Sequence, residues 1–532
     1  MLKYKKIIKE NIGAIVIVSI LTLFRAFSAL VIPISFSYLS EDGINVTSLI
    51  ILLFLVLLNL AMNVLIVKAE KKNTLAFKTK LHLELFGYLF KVNYKSFNKN
   101  GATYYINKID NAVNHYADLI LKTLPMFVNI WIVVLVSIWV IGRVSVWMLV
   151  ILGGMLLVQN LGFRRLNKEL SQRCVKMQDI TARGYSDIHS VCENIDYIKQ
   201  KDDHKGILKL LRKDVYDIHK INAEVNAYAG NVSAILSSIV TNMQYFMYIL
   251  LGYFMVAGRI ETRDFVVVAM MVDICFSYVG QLVRMNLNMK DVNASYDFIE
   301  KELKGEVEEE RGREIDRIDQ IAFCDTSIGY DDILLLEKVN LRIDRGDVVF
   351  IKAETGMGKS SLVKTLVGFY RAEGISINNI PMEELSVGSV RKKIFYMSQQ
   401  TSIICGSLAD NIFMGEECDR KEVDEKLAGL GFFDKFMSQG IIRKMEIQPD
   451  GANLSGGDKQ KIMVSRIFVE EPDVLILDEV TSSMDTETSN RVYEEIIKRF
   501  SDRIVLIISH NDSARRYATR CVKIENHQLM EE

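Results

Sequence analysis

The sequence is poor in the residues that build disulfide frameworks, metal sites and kinked helices. Its seven cysteines (Cys174, Cys192, Cys275, Cys324, Cys405, Cys418 and Cys521) are scattered over 532 residues with no C-x-x-C pair. An odd, dispersed set argues against a disulfide scaffold or a structural zinc site. Seven histidines are equally dispersed and form no H-E-x-x-H arrangement, so any metal should arrive with a ligand rather than in a resident cage. There are five prolines, with none between Pro33 and Pro125 or between Pro125 and Pro381, which leaves long stretches free to run as continuous helix. An excess of one charge is lacking too, since 65 Lys and Arg face 66 Asp and Glu for a formal net charge of −1. With no basic tail, nucleic acid is set aside as a partner.

What is abundant is apolar sequence, in one half only. The chain is 49% hydrophobic and 25% charged, a combination that points to one lipid-embedded part and one soluble part. Six apolar segments are each long enough to span hydrocarbon: 12–39, 47–68, 118–142, 145–163, 229–257 and 264–284. Short connections alternate with two long charged ones, 69–117 and 164–228, which carry lysines such as Lys71, Lys72, Lys78, Lys199 and Lys201. The positive-inside rule places both, with the two termini, on the cytoplasmic side. Their helix-forming composition predicts that the spans extend far into the cytoplasm as helices. Minimal outer loops leave no room for an extracellular domain, and Met1–Asn11, without a small-residue cleavage site, reads as retained and cytoplasmic.

Polar groups inside spans are costly. Arg25 in the first and Asp273 in the sixth either line a pathway or form a structural pair, and Asn231, Asn242 and Gln244 in the fifth either do the same or join helices. Met243, Met247, Met255, Met270 and Met271 read as packing or as the lining of a tolerant cavity.

After the charged run around Glu306–Arg313 the pattern changes. Val348–Lys352, Lys393–Met397, Val474–Leu477 and Ile504–Ile508 read as buried parallel strands alternating with helices, an α/β domain. The domains are therefore a transmembrane part at 1–300, a linker at 301–315 and an α/β part at 316–532. Between a strand and a helix lies A-E-T-G-M-G-K-S, Ala353–Ser360. Backbone amides through Thr355, Gly356, Met357, Gly358, Lys359, Ser360 and Ser361 can cradle phosphate, the Lys359 amine can neutralise it, and the Ser360 hydroxyl can ligate magnesium. Ala353 stands where such loops carry a first glycine. V-L-I-L-D-E, Val474–Glu479, ends an apolar strand in two acids: Asp478 to hold magnesium and Glu479 to orient or deprotonate water. L-S-G-G-D-K-Q, Leu454–Gln460, offers either a helix cap or a second phosphate contact.

In this order, about 120 residues from phosphate loop to acidic pair, these motifs resemble the ATP-binding cassette of ABC transporters. The resemblance implies ATP with magnesium as cofactors. It implies that Ser455, Gly456 and Gly457 contact the γ-phosphate held by an opposite subunit. It also makes Tyr330 the adenine-stacking aromatic, Gln399 the magnesium-sensing glutamine, Ser482–Asp485 the D-loop with Asp485, and His510 the switch histidine. Six spans followed by one cassette look like an exporter-type half-transporter. Phe97 with Gly101, and Ile195–Lys199, fall where coupling helices are expected, or are simply a helix boundary and an amphipathic helix. Two departures stand out: Asp458 replaces a glutamine of the signature, and Gln448–Asp450 replaces a glycine-glutamate before it.

The expected fold class is thus a membrane all-α six-helix transmembrane domain followed by an α/β P-loop ATP-binding cassette. The expected function is ATP-driven export of a peptide, amphipathic small molecule or lipid by alternating access, with Glu479 and His510 catalytic and Ser360, Gln399 and Asp478 around magnesium. Expected partners are membrane lipid, the exported substrate, and a second copy of the chain or a related half-transporter. An ATP-gated channel or regulatory membrane module is the alternative, and an importer a third reading disfavoured by the fusion of spans to cassette. The minimal loops and the lack of an Arg- and Ser-rich presequence point to a bacterial cytoplasmic membrane. The absence of a peptidase-like extension before the first span disfavours leader-peptide cleavage.

Overall fold

The computed structural model describes residues 12–13, 15–24, 26–27, 46–144, 146–201, 204–308, 310–330, 333–353, 357–399, 402–414, 446–470, 472–510 and 512–532. Arg25, Thr355, Gly356 and Cys418 lie outside the described residues, as does most of the first apolar segment beyond residue 27. The chain divides into two compact units, 1–308 and 309–532.

The first unit is helical. Its main elements are α1 (Val46–Leu89), α2 (Tyr94–Asn100), α3 (Ala102–Asp118), α4 (Leu124–Val144), α5 (Val146–Cys192), α6 (Ile195–Lys199), α7 (Lys205–Val256) and α8 (Thr262–Asp297). The charged connections do continue as helix: α7 runs for 52 residues, about 78 Å at 1.5 Å per residue. Among the described residues, 102–143 and 205–256 are long and apolar enough to cross a membrane by length and composition. A π-helical turn, Leu119–Thr123, joins α3 to α4, just before Pro125, whose missing N–H interrupts the α-helical ladder. Gly101 ends α2 at φ +80°, and its N–H closes on the Phe97 carbonyl at 2.9 Å. α2 and α6 bury no side chains within the unit.

Two large apolar cores, with two smaller clusters beside them, hold the described part of this unit. One packs Ile130, Val133 and Ile141 of α4 against Met247 and Leu251 of α7 and Val268, Val272 and Cys275 of α8. The other lies among the charged helical extensions, where Leu81 and Leu85 of α1 meet Tyr104, Ile109 and Tyr116 of α3 and Phe298 after α8. A buried polar knot pins the second core. Lys108, 4% exposed, stands 3.8 Å from Asp179 and 3.9 Å from Glu302, and the Tyr104 hydroxyl bonds to the same two carboxylates at 3.0 and 2.7 Å. Burial holds the Lys108 ammonium below its usual range and pushes the Tyr104 phenol up, as low polarity disfavours the charged form of each.

The second unit is built on a six-stranded sheet in the order β12-β11-β3-β10-β9-β6, comprising Gln528–Glu531, Arg520–Glu525, Val348–Ala353, Ile504–Ile508, Val474–Asp478 and Ile394–Met397. All neighbours are parallel except β11 and β12. A four-stranded antiparallel sheet, β2-β1-β4-β5, uses Ile333–Asp344, Gln320–Tyr330, Ile375–Ile377 and Ile380–Pro381. The central strands are apolar throughout because both faces are covered: Val349, Ile351, Ile476 and Leu506 face one core, and Val348, Phe350, Leu475 and Ile507 the other.

Register decides what meets at the end of this sheet. β10 pairs with β9 so that Ile508 lies opposite Asp478, and with β3 so that Ile508 lies opposite Ile351. The chain therefore leaves four adjacent parallel strands, β3, β10, β9 and β6, along one edge, where open α/β sheets bind ligands. The exits carry the phosphate loop, His510, Asp478–Glu479 and Gln399.

Candidate functional site: the edge of the parallel sheet

A cleft of about 250 Å³ at this edge is lined by Leu335, Gly358, Lys359, Ser360, Ser361, Gln399, Asp478, Glu479 and His510. Residues separated by up to 175 positions in sequence converge there, most of them delivered by the ends of parallel strands. α9 (Lys359–Leu366) starts at the cleft, and its N-cap Gly358 has φ +87°. A Cβ at Gly358 would lie 3.2 Å from Leu335 Cβ and 3.3 Å from Leu336 Cγ. Both the left-handed backbone and the close approach of β2 thus require glycine.

Glu479 is the centre of the polar network. Its backbone has φ +54°, and its N–H donates to the Ile508 carbonyl at 2.9 Å. A left-handed glutamate costs on the order of 1–3 kcal/mol and persists only where its surroundings over-determine it. Those surroundings are explicit. Oε1 lies 2.8 Å from His510 Nε2 and 3.8 Å from Lys359 Nζ, and Oε2 accepts from Gln399 Nε2 at 2.8 Å. Lys359 Nζ in turn lies 3.0 Å from His510 Nε2.

Asp478, one residue earlier, is 6% exposed and takes a hydrogen bond from the Tyr396 hydroxyl at 3.2 Å. Burial raises its carboxyl above the usual range, against the opposing effects of the Tyr396 bond and the Lys359 charge. Burial likewise lowers Lys359, against the attraction of Glu479 and Asp478. An acid pushed up and a base pushed down in one cleft are each stabilised by a charged ligand that supplies the missing partner.

No cluster of three or more His, Cys, Asp or Glu side chains able to hold a metal exists among the described residues. The Ser360 hydroxyl, the Asp478 carboxylate and the Gln399 amide, whose nitrogen is already engaged by Glu479, nevertheless line one cleft. These hard oxygen donors fit a magnesium ion that completes its shell with phosphate oxygens and water.

The signature segment opens α11 (Gly456–Glu470), which comes after α10 (Leu408–Phe413) in the chain. Ser455, Gly456 and Gly457 do not line the cleft. They lie instead against the turn after Glu479: a Cβ at Gly456 would be 3.3 Å from Ser483 Cβ, and one at Gly457 3.2 Å from the Ser483 carbonyl. Buried Gln460 locks this contact, donating to Ser482 Oγ at 3.0 Å and accepting from the Ser483 N–H at 2.9 Å. Asp485 accepts from the Thr488 N–H at 2.9 Å as the N-cap of α12 (Thr486–Arg499), and hydrogen bonding from the Thr488 side chain first, then its N–H, holds the carboxyl low. It does not line the cleft either.

Of the expected site residues, the fold brings together Gly358, Lys359, Ser360, Ser361, Gln399, Asp478, Glu479 and His510. Met357 is half-buried and packs on the core between the sheets. Tyr330 ends β1, paired with Ile333, and its side chain lies outside the described residues. Sequence reasoning missed Tyr396, Gln460 and Leu335. Tyr396 is a polar residue in an apolar strand and Gln460 one of several polar residues of a helix, and only the tertiary fold shows what they touch.

Residues 336–482 match the family model described as ABC transporter. The chain is 32% identical over 230 residues, 42% of its length and 38% of the relative's, to the ATP-dependent lipid A-core flippase of Syntrophus aciditrophicus (strain SB). It is 28% identical over 221 residues, 41% of its length and 31% of the relative's, to the SPbeta prophage-derived sublancin-168-processing and transport ATP-binding protein SunT of Bacillus subtilis (strain 168). It spans between about a third and just over half of the length of the curated relatives it matches. Among solved structures, a bacterial Atm1-family ABC exporter with ATP bound superposes with a TM-score of 0.83 at 16% identity, over 99% of this chain and 95% of that one. The second unit therefore carries an ABC transporter domain, which implies ATP binding. The chain as a whole shares the fold of that exporter, a helical unit followed by an α/β unit that carries the ABC transporter match.

Proposed function

We propose that the chain is one half of a dimeric, ATP-hydrolysing membrane exporter whose cargo is a peptide, an amphipathic small molecule or a lipid. The observation that carries this reading is Glu479, held in a strained backbone conformation and fastened through both carboxylate oxygens, to His510 on one side and Gln399 on the other. Strain of this kind gathers at sites where geometry matters more than local stability.

The residues divide the work by their chemistry. Amides at the start of α9 and the Lys359 ammonium bind phosphate, and Lys359 then exchanges its contact with Glu479 for the anion. Glu479, released, orients a water and accepts its proton. His510 keeps the carboxylate aimed. Magnesium, held by Ser360, Asp478 and Gln399, would neutralise charge on the phosphates. Ser455 and Gly457 lie outside the cleft, which supports their use on nucleotide held by a second copy of the chain or a related half-transporter. The flippase and peptide-transport names of relatives support the cargo classes. Membrane placement, with the cassette in the cytoplasm of a bacterial cell, rests on the apolar segments and the lysine-rich connections.

The test is ATP turnover by the full chain alone in nanodiscs. Turnover that falls about 10²–10⁴-fold in Glu479→Gln, while ATP binding persists, supports a self-sufficient hydrolytic pair. Equal turnover in both forms overturns the role of Glu479. ATP-dependent accumulation against a gradient in sealed vesicles then separates a pump from a channel, which only dissipates gradients.

A further inference from the structure

Within the apolar part of the first unit, α7 exposes large apolar side chains such as Ile235, Phe246 and Ile249, and on another face it carries a polar stripe that α8 continues. On α1 and α4 the exposed side chains in the spans include Leu53, Leu57, Trp131 and Leu135, which suit lipid. On α7, Ser237, Thr241, Gln244 and Tyr248 recur at helical spacing on one face, the first two exposed and the last two half-buried. On α8 the exposed positions Met270, Asp273 and Ser277 form the matching stripe. Gln244 joins them, its amide donating to Asp273 Oδ1 at 2.9 Å and to the Tyr248 hydroxyl at 2.8 Å.

A face with a carboxylate, an amide, a phenol and two hydroxyls does not border hydrocarbon, where such groups find no partners. It borders water or a polar guest. Among the described residues, Asp273 forms no ion pair, and its one hydrogen bond, to Gln244, engages a single oxygen. Among the described residues the carboxylate is therefore held by Gln244 through one oxygen and is otherwise exposed, in the middle of the apolar sixth segment. We infer that Asp273, held by Gln244 and flanked by Met270, is the recognition group of a binding site for amphipathic organic cations on the α7–α8 face. The charge complements the carboxylate, and the thioether of Met270 accommodates an irregular apolar body beside it. This inference rests on the exporter reading for its place in transport, but not for binding itself.

The experiment compares tetraphenylphosphonium with tetraphenylborate, ions of nearly the same shape and opposite charge, by equilibrium binding to the full chain in nanodiscs. Wild type is expected to bind the cation in preference to the anion. Asp273→Asn is expected to bind the cation at least about tenfold more weakly, and Asp273→Glu to retain most of the affinity. Thermal unfolding of both variants shows whether they are folded. Equal binding of the two ions by wild type, no binding of either, or undiminished cation binding by folded Asp273→Asn overturns the inference. If Asp273→Asn does not fold, loss of cation preference in folded Gln244→Leu supports it and retained preference overturns it. Cation-selective binding by a chain whose ATP turnover is equal in wild type and Glu479→Gln would overturn the hydrolytic reading and leave this site standing. Turnover without charge preference would do the reverse.

Discussion

The Ser455 hydroxyl lies 2.6 Å from the Asp458 carboxylate, and the Asp458 amide returns a hydrogen bond to that hydroxyl at 3.2 Å. The reciprocal pair caps the start of α11, and it places an anion beside the hydroxyl proposed to meet phosphate across a dimer. The hydroxyl has one proton to give, and here the carboxylate receives it.

Asp458→Gln is therefore expected to free Ser455 and remove a repulsive charge, lowering KM for ATP by about 3–10-fold, or roughly 1 kcal/mol. Steady-state ATPase assays at several ATP concentrations measure this. A higher KM in the variant would mean that the acid positions Ser455 productively.

His510 acts on Glu479 rather than on phosphate in this geometry, with 2.8 Å between Nε2 and Oε1. Its removal in His510→Ala should lower kcat about 10–100-fold, the cost of a misaimed carboxylate, with little change in ATP affinity. A filter-binding assay beside kcat separates the two effects, and a matching loss of affinity would assign His510 to binding instead.

Asp478 should make the nucleotide-free cassette less stable as pH rises. Its folded-state pKa lies above the ordinary value of 3.8, so between the two the folded chain holds the extra proton. The penalty grows through that window and is complete above it. Asp478→Asn should raise the unfolding temperature at neutral pH, by about 2–4 °C for each 1 kcal/mol relieved, and flatten the pH dependence. It should also lose the added stabilisation that magnesium brings to bound nucleotide. Scanning calorimetry across pH, with and without magnesium and ATP, reports both.

Gly358→Ala should destabilise the cassette by about 1–2 kcal/mol, because φ +87° and the contacts with Leu335 and Leu336 both exclude a methyl group. Nucleotide binding should be lost with it, since the turn starts α9. Denaturant titration with a fluorescent ATP analogue tests this, and a variant as stable as wild type would show that the loop relaxes at no cost.

Chemistry that depends on short sequence spacing was legible without coordinates. Gly358, Lys359 and Ser360 are consecutive, Asp478 and Glu479 are adjacent, and the apolar runs before them read as strands because both faces of a parallel sheet are buried. Proline-free, lysine-rich connections read as helix for equally local reasons, and α7 follows from them. The tertiary structure decided the rest, because register and side-chain contact are not local. The pairing of Ile508 with Asp478 sets His510 beside Glu479, although 31 residues separate them. The crossing of α7 and α8 brings the Gln244 amide to Asp273. The left-handed backbone of Glu479 has no signature in its neighbours. It exists because strands far apart in the chain close around one carboxylate, and packing of that kind is a property of the folded whole.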